Sequence, residues 1–126
     1  MDKALKAKLS KDPDGLQTYE FIANNIQEID PILDELIENM VAVDPNGQFT
    51  VSAARYLHAI DCEKYASQIS RLIEAAIDKD RERNYLAQLL PSIWGEDYEA
   101  RHEELNASDN NFRRIYKRIY LSLIHI

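Results

Sequence analysis

Glycine, proline and cysteine are all scarce, with three, four and one in 126 residues. So few glycines leave little room for a phosphate-cradling loop, and neither a Gly-x-Ser-x-Gly elbow nor a His-Glu-x-x-His zinc helix occurs. The lone Cys62 forms no internal disulfide and fits a reducing, cytoplasmic setting. No apolar run follows the lysines of the opening segment, so neither a signal peptide nor a membrane anchor is expected there, and a membrane partner is excluded from the reading.

Hydrophobic residues make up 45% of the chain and charged residues 29%, a globular balance. With glycine and proline rare and Ala, Leu, Ile, Glu and Arg frequent, the composition predicts an all-α fold. The expected architecture is an array or bundle of antiparallel helical hairpins, about six to seven helices in all.

Punctuation along the chain supports this. Asp12-Pro13-Asp14-Gly15 reads as a turn, after which Leu16, Tyr19, Ile22, Ala23, Ile26 and Ile29 share one helical face. Asp30-Pro31 predicts a helix start with Asp30 as the cap, and Ile32/Leu33, Leu36/Ile37 and Met40/Val41 form the buried stripe that follows. Asp44-Pro45-Asn46-Gly47 ends that helix, and Thr50 is the expected cap of the next, running through Val51, Ala54, Leu57 and Ile60. Asp61 is a further cap, before Tyr65, Ile69, Leu72, Ile73, Ala76 and Ile77; whether 51–60 and 62–78 are one helix or two stays open. Pro91 is expected to end or kink a helix carrying Leu86, Leu89 and Leu90. A polar helix over 96–105, a connection at 106–109 and a final stripe of Phe112, Ile115, Tyr116 and Ile119 complete the pattern.

Charge is unevenly distributed. The net value is −7, yet between Asp12 and Ala54 nine acids occur with no Lys or Arg. The bases gather at Lys3, Lys6, Lys8 and Lys11 and again at Arg113, Arg114, Lys117 and Arg118. Such runs form solvated faces, or an acidic surface for a basic partner protein; Glu28, Asp34, Glu35 and Glu38 are the candidate interaction surface. The basic helix offers a nucleic-acid alternative, opposed by the overall negative charge.

Chemistry-bearing patterns are thin. His58 and Cys62 stand four apart, a spacing for two metal ligands or a thiol and its base, without a third ligand or an orienting group. Glu99-Ala100-Arg101-His102 has the Glu-x-x-His spacing of a di-iron helix, but no second copy exists. Calcium loops starting at Asp44 or Asp78 place Phe49 and Arg55, or Arg83 and Leu89, where Gly and Glu are required. No cofactor, metal or catalytic residue is assigned. An enzyme built around His58, Cys62 and His102 stands as a second alternative.

Leu36-Ile37-Glu38 and Leu72-Ile73-Glu74 occupy matching helices, each followed by an acidic turn and an Ala- or Leu-rich helix. Residues 32–94 resemble HEAT-like helical-hairpin repeats on this pattern, with Asp78, Asp80 and Arg83 in the second unit, and Asp44 with a displaced Arg55 in the first. The resemblance implies a non-enzymatic scaffold that binds another protein on a helical surface.

The closing Leu121-Ser122-Leu123-Ile124-His125-Ile126 resembles a translated mosaic-end sequencing adapter. The expectation is therefore one helical domain over 1–120, with its native C-terminus missing and 121–126 excluded from fold reasoning.

Overall fold

A computed structural model describes residues 1–121, so the adapter-like hexapeptide lies outside the described residues apart from its first position. Eight α-helices are present among them: α1 (Lys3–Ser10), α2 (Leu16–Asn24), α3 (Leu33–Val43), α4 (Gln48–Asp61), α5 (Ala66–Lys79), α6 (Leu89–Trp94), α7 (His102–Ser108) and α8 (Asn110–Tyr116). Short 3₁₀ turns at Asp30–Ile32 and Leu86–Gln88 lead into α3 and α6, and a π-helical turn follows α8 at Lys117–Leu121. The described residues contain no strand. The all-α expectation holds, with eight helices among the described residues rather than the six or seven anticipated, α4 and α5 being separate and α1 a helix of its own.

The helices alternate between two layers. In one, α3 packs between α1 and α5; in the other, α4 packs between α2 and α6. Their inward stripes meet in one core that includes Ile22, Leu33, Leu36, Met40, Leu57, Leu72, Ile77, Leu86 and Leu89. Buried Ala53, Ala54, Ala75 and Ala76 let α4 and α5 approach closely, since a methyl group adds little to the interaxial distance. Phe112 and Ile115 of α8 are buried where α8 packs against α5 and α6, closing the stack at that end.

Three aspartate turns line up along one edge of the stack. In the first, Asp12 accepts from the backbone N–H of Asp14, Gly15 and Thr18 and from the Thr18 hydroxyl, at 3.3, 3.0, 2.8 and 2.7 Å. In the second, Asp44 accepts from Asn46, Gly47 and Thr50 in the same way, at 3.0, 2.9, 2.8 and 2.7 Å. The third keeps the logic with other residues: Asp80 accepts from the N–H of Asn84, Tyr85 and Leu86 at 2.9, 2.7 and 2.8 Å. Each carboxylate thus satisfies amides at a helix start that have no carbonyl partner of their own.

Neighbouring turns touch. Gly15 has φ +102°, and a Cβ there would lie 2.9 Å from Met40 Sδ and 3.3 Å from Asp44 Cβ; Gly47 has φ +90°, and its Cβ would lie 3.3 Å from Asp80 Cβ. Handedness favours glycine at both, and at Gly15 a Cβ would also press on Met40. In the third turn Arg83 takes the left-handed conformation, φ 61°. Polar side chains tie each hairpin to the one before: Asn39 Nδ2 donates to Leu9 O and Thr18 Oγ1, both at 3.0 Å, Lys79 Nζ donates to Asp44 O at 2.7 Å, and Arg118 donates to Ile77 O.

Several local expectations are corrected. Asp30 does not cap a helix; its carboxylate faces Lys64 and Tyr65 across the opposite edge, at 2.8 and 3.3 Å, and the chain enters α3 through a 3₁₀ turn. Thr50 is the third residue of α4 rather than its cap, because Asp44 reaches forward to it. The segments 51–60 and 62–78 belong to separate helices; Asp61 Oδ1 accepts from Lys64 N at 3.1 Å and holds the chain in a turn. Pro91 lies inside the first turn of α6, where no intrahelical partner for its N–H is needed, so it does not end the helix. Residues 96–101 form turns, and α7 instead covers His102–Ser108, with Asp109 capping α8 through Phe112 N at 3.1 Å.

Candidate functional site

All three acids of α3 meet partners, two on α5 and one at the chain's first residue. Glu38 takes both arms of the Arg71 guanidinium at 2.9 Å, Asp34 accepts from Gln68 at 3.0 Å, and Glu35 pairs with the Met1 ammonium at 2.5 Å. Hydrogen bonds from Arg71, with its charge, hold the Glu38 carboxyl below its ordinary value against the opposing effect of burial; the Met1 ammonium does the same for Glu35. Glu28 stands apart, exposed in the loop before α3. A cavity of about 440 Å³ lies beside these acids, lined by Met1, Lys6, Ser10, Asp34, Glu35, Glu38 and Asn39. The structure therefore brings Asp34, Glu35 and Glu38 onto one face, partly matched by the protein's own cations and amides.

The basic residues of α8 and the turn after it divide into two pairs. Arg114 reaches Asp78 at 3.8 Å and Arg118 binds the Ile77 carbonyl, so both turn toward the C-terminal end of α5. Arg113 donates to Asn110 on its own helix, and Lys117 is exposed. Arg113, Arg114 and Lys117 remain exposed, while Arg118 is half-buried against α5.

His58, Cys62 and His102 are not brought together. His58 and Cys62 line a cavity of about 350 Å³ with Ser70, Trp94, Asp109 and Asn111 among its walls. The Asp109 carboxylate accepts from Trp94 Nε1 at 2.8 Å and from Phe112 N, and no hydrogen bond joins it to His58 among the described residues. His102 stacks on Tyr116 with ring centroids 5.3 Å apart, its Nδ1 2.7 Å from Glu99 O. That pair belongs to an aromatic cluster with Phe112, Tyr98 and Tyr120, in which burial pushes the Tyr116 and Tyr120 hydroxyls up. No group of three or more His, Cys, Asp or Glu side chains is placed to hold a metal among the described residues. Asp44 and Asp80 spend their oxygens on backbone amides.

The α2–α4–α6 layer presents a site that sequence patterns did not single out. A groove of about 440 Å³ is lined by Tyr19, Ser52, Arg55, Tyr56, Ala59 and Ser92. Arg55 on α4 reaches α6 and the turn before it, Nε donating to Ser92 Oγ and Nη1 to Gln88 Oε1, both at 2.9 Å. Tyr19 meets Tyr56 edge-on at 6.3 Å and Phe49 at 6.4 Å, and the Tyr56 hydroxyl donates to Ala23 O at 3.2 Å. The available signal was Arg55 itself, the first base after a long acidic segment.

Compared with family models, curated proteins and solved structures, the chain matches none. No helix among the described residues is long and apolar enough to cross a membrane.

Proposed function

We propose that this chain is a non-enzymatic protein-interaction domain built as a HEAT-like stack of helical hairpins. The observation that carries the reading is the recurrence of one hydrogen-bonded aspartate turn at Asp12, Asp44 and Asp80, which aligns successive hairpins into two layers with broad outer faces. Stacks of this kind present extended surfaces to other macromolecules and need no cofactor to do so. An exposed lone thiol at Cys62 fits a reducing, cytoplasmic setting.

A protein partner is favoured over nucleic acid because Arg114 and Arg118 are spent on α5 and the net charge of −7 repels phosphate chains. An acidic face made by Asp34, Glu35 and Glu38 would suit a basic partner, but its charges are already partly compensated by Arg71 and the Met1 ammonium. The test is affinity isolation of the full chain from its own cells, followed by reconstitution of the complex from purified components. A stoichiometric complex that survives physiological salt is the expected result. Retention on heparin or a salt-dependent shift of nucleic acid, with no reconstituted protein complex, would sink the reading.

A further inference from the structure

We propose that the groove on the α2–α4–α6 face docks a short extended acidic segment of a partner protein, with Arg55 holding its carboxylate. The assignment rests on the interaction-domain reading and names the surface and the chemistry of its ligand.

Arg55 is a cation prepared for an anion it does not yet have. Among the described residues Arg55 has no carboxylate within ion-pair distance, as is true of Arg81, Arg83, Arg113 and Arg118 too; what sets it apart is that two neutral side chains across the groove hold its guanidinium. Two of its N–H groups are fixed by the neutral acceptors Ser92 and Gln88, so the fork is oriented without being neutralised, and further donors remain for a ligand. It is also the sole charged residue lining the groove, so a single carboxylate balances it. A phosphate dianion would add charge that the acidic chain repels.

The walls specify what flanks that carboxylate. Tyr19 and Tyr56 are fixed by their mutual edge contact and by the bond to Ala23, so little side-chain freedom is lost on binding. Two large apolar side chains stand exposed among the described residues, Leu16 at 39% and Ile60 at 49%. Leu16 opens α2 one turn before Tyr19, and Ile60 follows Tyr56 by one turn near the end of α4, so they mark opposite ends of the same face. Gly15, next to Leu16, packs on Phe49 in the first turn of α4, so at ~1.5 Å of rise per helical residue Ile60 stands about 17 Å further along α4, the reach of roughly five to six extended residues. The geometry calls for an apolar side chain at each end of the segment and an acid near its middle.

The test uses fluorescein-labelled, end-blocked heptapeptides with leucine at both ends and glutamate, glutamine or phosphoserine at the third position, which faces the same way as the leucines in an extended chain, titrated with the full chain by fluorescence polarisation. The glutamate peptide is expected to saturate, and the glutamine peptide to bind about tenfold more weakly. Arg55→Gln is expected to erase that preference, Ile60→Ser to weaken both peptides, and Arg71→Gln, in the other layer, to change neither. Unchanged melting temperatures show that the variants fold, with Arg55→Lys as a second, milder probe. Equal affinity for glutamate and glutamine, tighter binding of phosphoserine, no binding of any peptide, or indifference to Arg55→Gln each overturns the assignment. A reconstituted partner complex that ignores Arg55→Gln overturns the groove alone and leaves the interaction-domain reading standing.

Discussion

Asp44 Oδ2 accepts from both the backbone N–H and the hydroxyl of Thr50, at 2.8 and 2.7 Å, so one buried carboxylate oxygen holds the start of α4 by two bonds from a single residue. Thr50→Val removes one of them and is expected to cost about 1.5–3 kcal/mol, the range for a hydrogen bond to a charged group. Asp44→Ala also strands the buried amides of Gly47 and Thr50, and is expected to cost about 3 kcal/mol or more. Urea denaturation followed by circular dichroism measures both. Loss of less than about 0.5 kcal/mol in Asp44→Ala, the level of an ordinary surface substitution, would show that the turn does not depend on its carboxylate.

The left-handed positions predict substitutions of opposite sign. Gly47→Ala places a Cβ 3.3 Å from Asp80 Cβ at φ +90° and is expected to destabilise by about 1–2 kcal/mol from conformation alone. Arg83→Gly relieves the same kind of strain at φ 61°, on an exposed residue. Offset by the greater freedom of glycine in the unfolded chain, a net gain of roughly 0.5–1 kcal/mol is expected. Thermal melts of the two variants check the pair, and a lowered melting temperature for Arg83→Gly contradicts the argument.

Acid should attack the first turn. Burial pushes the Asp12 carboxyl up, but the bonds from Thr18, Gly15 and Asp14 together outweigh it and hold the group below its ordinary value. A folded value below the unfolded one, about 3.9, means that the stabilisation is complete above the unfolded value and fades as pH falls through the folded one. Asp12→Asn, less stable near neutrality, should therefore lose less additional stability than the parent on acidification below about pH 4. Parallel urea midpoints across that range decide it; equal acid slopes would remove Asp12 from the account.

By contrast, the Glu38–Arg71 pair should contribute little despite its two-armed geometry. Both side chains are more than a third exposed, at 58% and 42%, so water screens them and the coupling is expected to stay below about 1 kcal/mol. A double-mutant cycle with Gln at each position gives the coupling directly, and raising the salt concentration should shrink it. A salt-independent coupling well above that bound would mean that the α3–α5 face is drier than its exposure indicates.

Much of the fold was legible from apolar spacing and from the Asp-Pro-x-Gly clusters, because both act through local geometry. Leu36, Ile37, Leu72 and Ile73 are buried where the apolar helical spacing put them, and the turns at Asp12 and Asp44 fall where expected. The shared design of the turns was less legible. Thr18 and Thr50 perform one role, but in the third turn Leu86 supplies only an amide and Arg83 replaces glycine, so the letters change while the hydrogen bonds persist. Spatial partnership was the other hidden quantity. Periodicity placed Asp34, Glu35 and Glu38 on an exposed face, yet nothing in α3 announces that Gln68, Met1 and Arg71 meet them, and nothing near Arg55 announces Ser92.

The two edges of the stack are held by different kinds of bond, and this sets how it can flex. Along the turn edge, buried carboxylates and glycines in direct contact make a stiff spine. Along the other, Asp30 meets Lys64 through side chains about half exposed to solvent, a link that water and salt loosen readily. Helices anchored at one end and weakly tethered at the other spread like the ribs of a fan. Beside the groove the bond from Tyr56 to Ala23 limits that spreading, so the freedom left to α4 falls in its last turn, at Ile60.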